Sequence, residues 1–264
     1  MPCCSEHTDW QHRTRLLVGD SGIERLCTAS VAIIGLGGVG SWAVEALART
    51  GVGALTLVDF DEICISNVNR QLPAITGAFG KPKVAVLAER VHLIQPDCHV
   101  QPLPTQFMAS TADALLAPPY SAVLDAIDRP ALKALLIAGC YQRGLPIVSA
   151  GAAGGRRDPT QIRLADLAQV THDRLLRATR DTLRKQHGFP ENTKTPFGVR
   201  CVFSPEAPVF PTKTGAVCRT PERDANLRLD CQSGYGTACF VTGAFGFVAA
   251  AEIVRLITTP PKAD

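Results

Sequence analysis

The chain has 264 residues, of which 46% are hydrophobic, and it carries a formal net charge of +3. This length allows one large domain with a sizeable core, and so small a charge does not by itself indicate a nucleic-acid partner. The ten cysteines are scattered without any C-x-x-C pair, which argues against a cysteine-type zinc site and favours the reduced thiols of a cytoplasmic protein over a secreted disulfide framework.

The first half of the chain alternates predicted strands with predicted helices. A short helix up to Leu26 comes first, and apolar, β-branched runs then predict strands at 31–34, 54–58, 98–103, 122–124 and 146–149. Apolar residues at helical spacing predict helices at 41–50, 82–94 and 131–143. This alternation indicates an α/β fold with a doubly wound, Rossmann-like and mainly parallel sheet, whose ligands bind at the carboxyl ends of the strands.

The character of the chain changes after Gly151. Residues 161–165 alternate like an exposed strand, residues 166–186 look helical and basic, and the segment 151–230 holds 14 Lys and Arg against 9 Asp and Glu. The apolar segment 234–257 approaches the ~20 residues of a membrane span, but Glu252 and Arg255 near its end favour a buried core helix over membrane contact. We therefore predict a C-terminal basic insertion and a closing helix, packed as part of the same fold.

A glycine loop joins the first strand to the helix that follows it. Gly35, Gly37, Gly38 and Gly40 allow a tight turn in which backbone N–H groups approach phosphates at a helix N-terminus. Asp59, at the end of the next strand, is placed to accept hydrogen bonds from ribose hydroxyls. The pattern predicts nucleotide binding, with a purely structural glycine turn as the alternative.

A nicotinamide dehydrogenase would share this loop, so the residues after Asp59 decide which nucleotide binds. Arg70 and Lys83 are cations suited to triphosphate oxygens, and Asn67 adds a neutral hydrogen-bonding group. Asp128, after the fourth strand, can hold Mg²⁺ through its carboxylate and water. The pattern favours ATP with Mg²⁺. The alternatives are that Arg70 and Lys83 are ordinary surface charges and that Asp128 caps the following helix.

Five motifs, in this order, resemble those of the bacterial adenylating enzymes related to ubiquitin-activating enzymes. They are GLGGVG (35–40), LVDFD (57–61), SNVNRQ (66–71), KPK (81–83) and DAID (125–128). The resemblance implies an ATP site with Asp59 at the ribose, Asn67, Arg70 and Lys83 around the phosphates, and Asp128 as the magnesium ligand. Asp61 is a further nucleotide-binding residue of this site.

The resemblance also assigns a role to Arg15. This residue is similar to the arginine that dimers of the family insert into the phosphate site of the partner, which implies a homodimer and a catalytic contribution beside those of Arg70, Lys83 and Asp128. A solvated charge near the N-terminus is the alternative.

Two branches of the family are compatible with the first half. Sulfur-carrier adenylyltransferases commonly carry two C-x-x-C pairs, which this chain lacks. Segments 151–162, 201–206, 230–234 and 245–248 resemble instead the branch that dehydrates the threonylcarbamoyl group on tRNA adenosine beside the anticodon. That resemblance implies ATP-dependent cyclisation through an acyl-adenylate of the substrate carboxylate.

It further implies that residues 1–150 are the ATP-binding adenylation domain and that residues 151–264 hold the tRNA. Two alternatives stay open: activation of the C-terminus of a small sulfur-carrier protein, and a nucleotide-binding scaffold without catalysis.

The basic helix and one cysteine are the remaining candidates. Arg177, Arg180 and Arg184 fall on one side of the predicted helix, where they would contact tRNA phosphates or form a solvated face. Cys231 lies in a predicted loop, where it would carry a thioester or accept sulfur from a sulfur-transfer or redox partner protein. A structural role is favoured, because no neighbouring His or Lys lowers the pKa of a thiol there.

Overall fold

The structure, a computed structural model, describes residues 8–192, 194–220 and 235–259. Its helices are Thr8–Val18 (α1), Asp20–Thr28 (α2), Gly40–Thr50 (α3), Lys83–Ile94 (α4), Ala109–Leu115 (α5), Pro130–Gln142 (α6), Arg174–His187 (α7) and Cys239–Thr258 (α8). Its strands are Ser30–Ile34 (β1), Ala54–Val58 (β2), His99–Leu103 (β3), Ala122–Asp125 (β4), Ile147–Ala150 (β5), Arg163–Asp166 (β6), Arg200–Phe203 (β7), Phe210–Pro211 (β8) and Val217–Cys218 (β9).

Seven of these strands form one sheet in the order β3-β2-β1-β4-β5-β7-β6. All neighbours pair in parallel except β6, which runs antiparallel to β7 at the edge. The predicted doubly wound, mainly parallel sheet is thus confirmed. The second portion of the chain extends this same sheet, because β6 and β7 continue it beyond β5.

The chain reverses its direction of travel across the sheet between β1 and β4. From β1 it moves outward to β2 and β3, and it then returns to place β4 on the other side of β1. Parallel sheets bind ligands at such a switch point, outside the carboxyl ends of the strands. The loops after β1, β2, β4 and β5 therefore border the expected site.

Two helices differ from the sequence-based predictions, and four elements were not predicted. The helix expected at 166–186 begins only at Arg174, because Asp166 ends β6 and its carboxylate accepts hydrogen bonds from the backbone of Ala168, Phe197 and Gly198. The single N-terminal helix is divided into α1 and α2 at Gly19, whose φ is 77°. Helix α5 and strands β7, β8 and β9 were not predicted.

Helix α8 is a core helix that packs mainly against α3. Phe245, Ala249 and Ile253 are fully buried on it, and a Cβ at Gly246 would lie 2.6 Å from the backbone oxygen of Val39. By length and composition α8 is the one helix of the described residues that is apolar enough to cross a membrane, but half of its most apolar stretch is buried inside the fold. These contacts favour the core helix predicted from the sequence.

Candidate active site

A large cleft opens at the carboxyl edge of the sheet. The loops that follow β1, β2, β4 and β5 border it, and they contribute Gly35, Asp59, Asp128 and Gly151. Its volume is about 2020 Å³, which exceeds the roughly 300–1,000 Å³ of a typical small-molecule pocket. The cleft therefore has room for a nucleotide and part of a second substrate.

The positions of the loop after β1 differ in whether the fold itself requires a glycine there. Gly35 has a φ of 94°, and a Cβ there would lie 2.8 Å from the backbone oxygen of Ala126. A Cβ at Gly40 would overlap the backbone oxygen of Gly35. A Cβ at Gly37 would meet nothing within 4 Å, although this residue lines the cleft. The fold requires Gly35 and Gly40, whereas Gly37 leaves open space that a ligand can use.

The predicted ribose-binding residue, Asp59, also holds the glycine loop in place. Its Oδ2 accepts a hydrogen bond of 2.6 Å from the backbone N–H of Leu36, and its Oδ1 accepts one of 2.8 Å from that of Asp61. Each carboxylate oxygen retains a further lone pair. Asp59 can thus accept from a ribose hydroxyl while it fixes the loop that would cradle the phosphates.

Lys83 and Asp61 form an ion pair within the cleft. The Lys83 Nζ lies 2.8 Å from the Asp61 Oδ2, and the lysine side chain is only 4% exposed against 49% for the aspartate. The lysine is therefore held in place from the first turn of α4. The structure brings both residues to the site, as predicted, but it pairs them, which the sequence did not indicate.

The segment that follows Asp61 supplies the two other predicted phosphate ligands. Asn67 is buried, and its Oδ1 accepts a hydrogen bond from the backbone N–H of Cys64, which closes a single 3₁₀ turn. The Arg70 Nη1 donates to the backbone oxygen of Ser66 at 2.7 Å and to the Oδ1 of Asn69 at 3.0 Å. Both side chains line the cleft with part of their hydrogen-bonding capacity committed to the loop.

Contacts from α3 and α8 lock this segment against the glycine loop. The backbone oxygen of Arg70 accepts hydrogen bonds from the Trp42 Nε1 at 3.0 Å and from the Thr242 Oγ1 at 3.2 Å. Thr242 also touches the glycine loop, since its Cγ2 would lie 3.0 Å from a Cβ at Gly38. Sequence reasoning missed this role of α8, because Arg70 and Thr242 are 172 positions apart.

Asp128 stands at the mouth of the loop after β4, exposed and facing the cleft. Among the described residues its carboxylate has no hydrogen-bond donor, and α6 starts after Arg129 without a side-chain cap. The helix-cap alternative is therefore wrong in this structure. A cleft-facing carboxylate without a protein partner suits a magnesium ligand.

Asp125, at the other end of the same loop, accepts its hydrogen bonds from other residues of the protein. It is fully buried, and its Oδ2 accepts hydrogen bonds from the Lys133 Nζ at 2.8 Å and from the Ser149 Oγ at 2.7 Å. Its Oδ1 accepts from the backbone N–H of Ile127. This buried cluster fixes the turn that carries Asp128, and nothing in the sequence marked Lys133 as part of it.

The three arginines of α7 do not form a free basic row. The Arg180 Nη1 donates to three backbone oxygens in the segment 167–170. The Arg184 Nε donates to the backbone oxygen of Pro190, and the guanidinium lies over the ring of Phe197. Only Arg177 of the three is exposed. Helical spacing placed them on one side, but two of them hold the helix to neighbouring segments.

Two further residues singled out from the sequence are Arg15 and Cys231. Arg15 lies on α1, where its Nη1 pairs with the Asp20 Oδ1 at 2.6 Å, and it does not line the cleft of its own chain. Cys231 lies outside the described residues. Among the described thiols, burial raises the pKa of Cys98 to about 11 and that of Cys140 to about 12, so neither is a nucleophile at neutral pH.

Known proteins resemble the chain over nearly its full length. A model of the ThiF family matches residues 11–264. The tRNA threonylcarbamoyladenosine dehydratase of Escherichia coli strain K12 is 42% identical over 250 residues, 93% of each chain. A crystal structure of the Escherichia coli tRNA N6-threonylcarbamoyladenosine dehydratase in complex with ATP is 37% identical and has a TM-score of 0.87, with 97% of both chains covered.

The other branch considered from the sequence matches over a shorter stretch. The molybdopterin-synthase adenylyltransferase of Salmonella typhimurium is 37% identical over 131 residues, which is 50% of this chain and 52% of that protein. Because the family model spans the glycine loop, the acidic residues after β2 and β4 and the closing helix, the chain belongs to the ThiF family.

Proposed function

We propose that this protein is an ATP-dependent tRNA-modifying dehydratase that cyclises the threonylcarbamoyl group on the adenosine next to the anticodon. One observation carries the proposal: a glycine loop with open space at Gly37 lies in the same cleft as Asp59, Arg70, Lys83 and Asp128. The full-length similarity to dehydratases, one of them solved with ATP, supports the same substrates.

The reaction needs ATP because a carboxylate is a poor electrophile. A carboxylate oxygen of the threonyl group attacks the α-phosphorus of ATP, an O–P bond forms, and the bond to pyrophosphate breaks. A nitrogen of the carbamoyl group then attacks the activated carbonyl carbon within the same substituent, AMP leaves with the former carboxylate oxygen, and the nitrogen loses its proton. The net change in the RNA is the loss of one water, and the intramolecular step requires no enzyme nucleophile.

In this account the nucleotide lies across the glycine loop. Asp59 accepts from the ribose hydroxyls, Asn67 and Arg70 donate to phosphate oxygens, and Lys83 does so by exchanging its contact with Asp61 for a phosphate. The preformed cluster stabilises the negative charge that develops on the departing pyrophosphate.

Mg²⁺ fits the residues present. Asp128 faces the cleft, and no described residue donates a hydrogen bond to its carboxylate. Mg²⁺ at phosphate sites is held by one or two carboxylates together with phosphate oxygens and water. Bound there, Mg²⁺ would neutralise charge on the phosphates. Arg15 would complete the site of a partner subunit in a homodimer.

The two portions of the chain have different roles. Residues 1–150 supply the adenylation site and residues 151–264 the tRNA-binding portion, in a cytoplasmic enzyme. Arg177 is the member of the α7 row that remains available to tRNA phosphates. Sulfur-transfer or redox partner proteins stay a prediction from the sequence, and the burial of α8 favours a core helix over membrane contact.

Mass spectrometry of nucleosides tests the proposal. Transfer RNA that carries the open threonylcarbamoyl group is incubated with the protein, ATP and Mg²⁺, and its nucleosides are analysed. We expect a product lighter by one water, formed only with ATP. Unchanged tRNA, together with pyrophosphate release on addition of a small sulfur-carrier protein, would select the adenylyltransferase alternative. ATP binding with neither reaction would indicate a non-catalytic scaffold.

A further inference from the structure

The cleft has a second compartment on the side away from the glycine loop. Its wall consists of the loop after β5, the start of α7, and β8, and its side chains include Arg156, His172, Arg174, Phe210 and Tyr235. Strand β4 separates β1 from β5, so two inter-strand spacings, roughly 10 Å, lie between the ends of those strands. We name this region the β5 compartment.

Arg156 is a buried cation with unused donors in this compartment. It lines the cleft but is only 5% exposed. Its Nη2 donates to the backbone oxygen of His172 at 2.8 Å, while its Nε and Nη1 have no hydrogen-bond partner among the described residues. A buried charged group normally has its donors satisfied, because an unmet donor keeps the full desolvation cost. Accordingly, burial lowers the pKa of the Arg156 guanidinium.

The carboxylates nearest to Arg156 are occupied elsewhere. Asp173 accepts hydrogen bonds from the backbone N–H groups of Ala152 and Leu176, and it caps the N-terminus of α7. Glu206 accepts from the backbone N–H groups of two residues, 157 and 158. Both acids attract the guanidinium at a distance, but neither forms a hydrogen-bonded ion pair with it. The remaining donors, Nε and Nη1, are buried without a partner among the described residues, and an anion that enters the compartment would satisfy them.

The backbone around Arg156 is also shaped to hold it. His172 is the one non-glycine residue of the described chain with a positive φ, at 59°, and its carbonyl is the group that Arg156 contacts. A Cβ at Gly155, whose φ is 75°, would lie 2.9 Å from the backbone oxygen of Val209. Strained or glycine-dependent backbone persists where the surrounding structure enforces it, and such positions cluster at ligand sites.

We propose that Arg156 binds the carboxylate of the threonylcarbamoyl group, an inference that rests on the proposed function. A buried guanidinium can be reached by the tip of a substituent, whereas a backbone phosphate would have to bury the sugars on both sides of it. The rim of the compartment suits the attached nucleoside, since the exposed Arg174 lies over the Phe210 ring and Tyr235 stands 5.4 Å from that ring. Aromatic and guanidinium planes are the surfaces on which unstacked RNA bases rest.

The test compares how variants recognise the substituent. Affinity is measured for tRNA with and without the threonylcarbamoyl group, in the presence of an ATP analogue that cannot be cleaved between the α- and β-phosphates. The variants are Arg156→Met and Arg156→Lys, and the matched control is Arg157→Met, which removes the same charge from the exposed neighbouring side chain.

We expect the wild-type protein to prefer the modified tRNA. Arg156→Met should reduce that preference by about tenfold or more, as for the loss of a hydrogen bond to a charged group. Arg156→Lys should retain part of it, and Arg157→Met should retain all of it. Binding of the ATP analogue should not fall in Arg156→Met. The unfolding temperature should fall only slightly, because the side chain has a single hydrogen bond to a described residue to lose.

Three results would overturn the inference. The first is a wild-type protein without preference for the modified tRNA, and the second is an Arg156→Met variant that keeps the preference. The third is an Arg156→Met variant that loses ATP binding and thermal stability together, which would assign Arg156 a structural role. The proposed function fails separately, if the wild-type protein does not dehydrate the tRNA at all.

Discussion

The buried ion pair beneath the loop that carries Asp128 gives the strongest prediction about stability. Lys133 and Asp125 are both 0% exposed, and the Lys133 Nζ lies 2.8 Å from the Asp125 Oδ2. The change Lys133→Met keeps the length of the side chain and removes its charge. It leaves the Asp125 carboxylate buried with two remaining partners, the hydroxyl of Ser149 and the backbone N–H of Ile127.

The expected cost follows from that uncompensated charge. Removing one partner of a buried ion pair destabilises a protein by about 3–5 kcal/mol, because the remaining charge stays out of water without its counter-ion. The double change Lys133→Met with Asp125→Asn should cost less than Lys133→Met alone, since a neutral amide no longer requires the cation. Lys133→Met should also weaken ATP binding, because Asp125 shapes the turn that leads to Asp128.

Equilibrium unfolding in urea measures these free energies. The matched control is Arg143→Met, which removes a cation from the exposed Arg143–Asp113 pair at 2.6 Å beyond the end of the same helix. An exposed pair contributes roughly 0.2–1 kcal/mol, so the control should remain close to the wild-type protein. A Lys133→Met variant whose free energy of unfolding lies within 1 kcal/mol of wild type would show that the buried Asp125 carboxylate does not depend on its counter-ion.

Three further predictions test the loop, the closing helix and the RNA surface. Gly37→Ala should fold like the wild-type protein and lose ATP affinity in calorimetry. Gly40→Ala should lower the unfolding temperature, because its Cβ overlaps the loop backbone. Equal effects of the two changes would argue against a glycine loop that holds the phosphates. Hydrogen bonds from Arg255 and Arg200 hold the pKa of Glu252 below its ordinary 4.5, against the effect of burial, so its stabilisation is present above pH 4.5 and is lost as the pH falls through the lowered value. In Glu252→Gln the free energy of unfolding should therefore fall less steeply as the pH decreases below 4.5. A variant with the same pH dependence as the wild-type protein would contradict this. Arg177→Ala should reduce both tRNA affinity and its dependence on salt, while Arg180→Ala should mainly lower the unfolding temperature, and the reverse pattern would restore the basic-row hypothesis.

The sheet and the positions of the candidate nucleotide-binding residues could be predicted from the sequence because both depend on local patterns. Aliphatic runs that alternate with helical spacing allow few arrangements other than parallel βαβ crossovers. Once the strands were assigned, Asp59 and Asp128 had to lie at one edge of the sheet, beside the glycine loop. Strand β7 could not be predicted in the same way, because its short run, Arg200–Phe203, overlaps the family motif at 201–206 and lies outside the strand–helix alternation of the first half.

The features that could not be predicted from the sequence depend on contacts between segments that are distant in the chain. Helical spacing showed that Arg180 and Arg184 share a side of α7, but it cannot show that backbone carbonyls from other segments cover that side. The burial of Arg156 arises from the loop after β5 and the start of α7 together. Thr242, on the last helix, closes the site by bonding to the backbone of Arg70. No local pattern records such pairings.

The central claim is that the substrate carboxylate attacks the α-phosphorus of an ATP that lies across the glycine loop. Transfer RNA whose threonylcarbamoyl carboxylate is labelled with ¹⁸O tests it directly, with the isotope content of AMP and pyrophosphate measured after one turnover. We expect one labelled oxygen in AMP and none in pyrophosphate. Labelled pyrophosphate with unlabelled AMP, or labelled inorganic phosphate with unlabelled ADP, would contradict this expectation. Either result would place the attack on a different phosphorus.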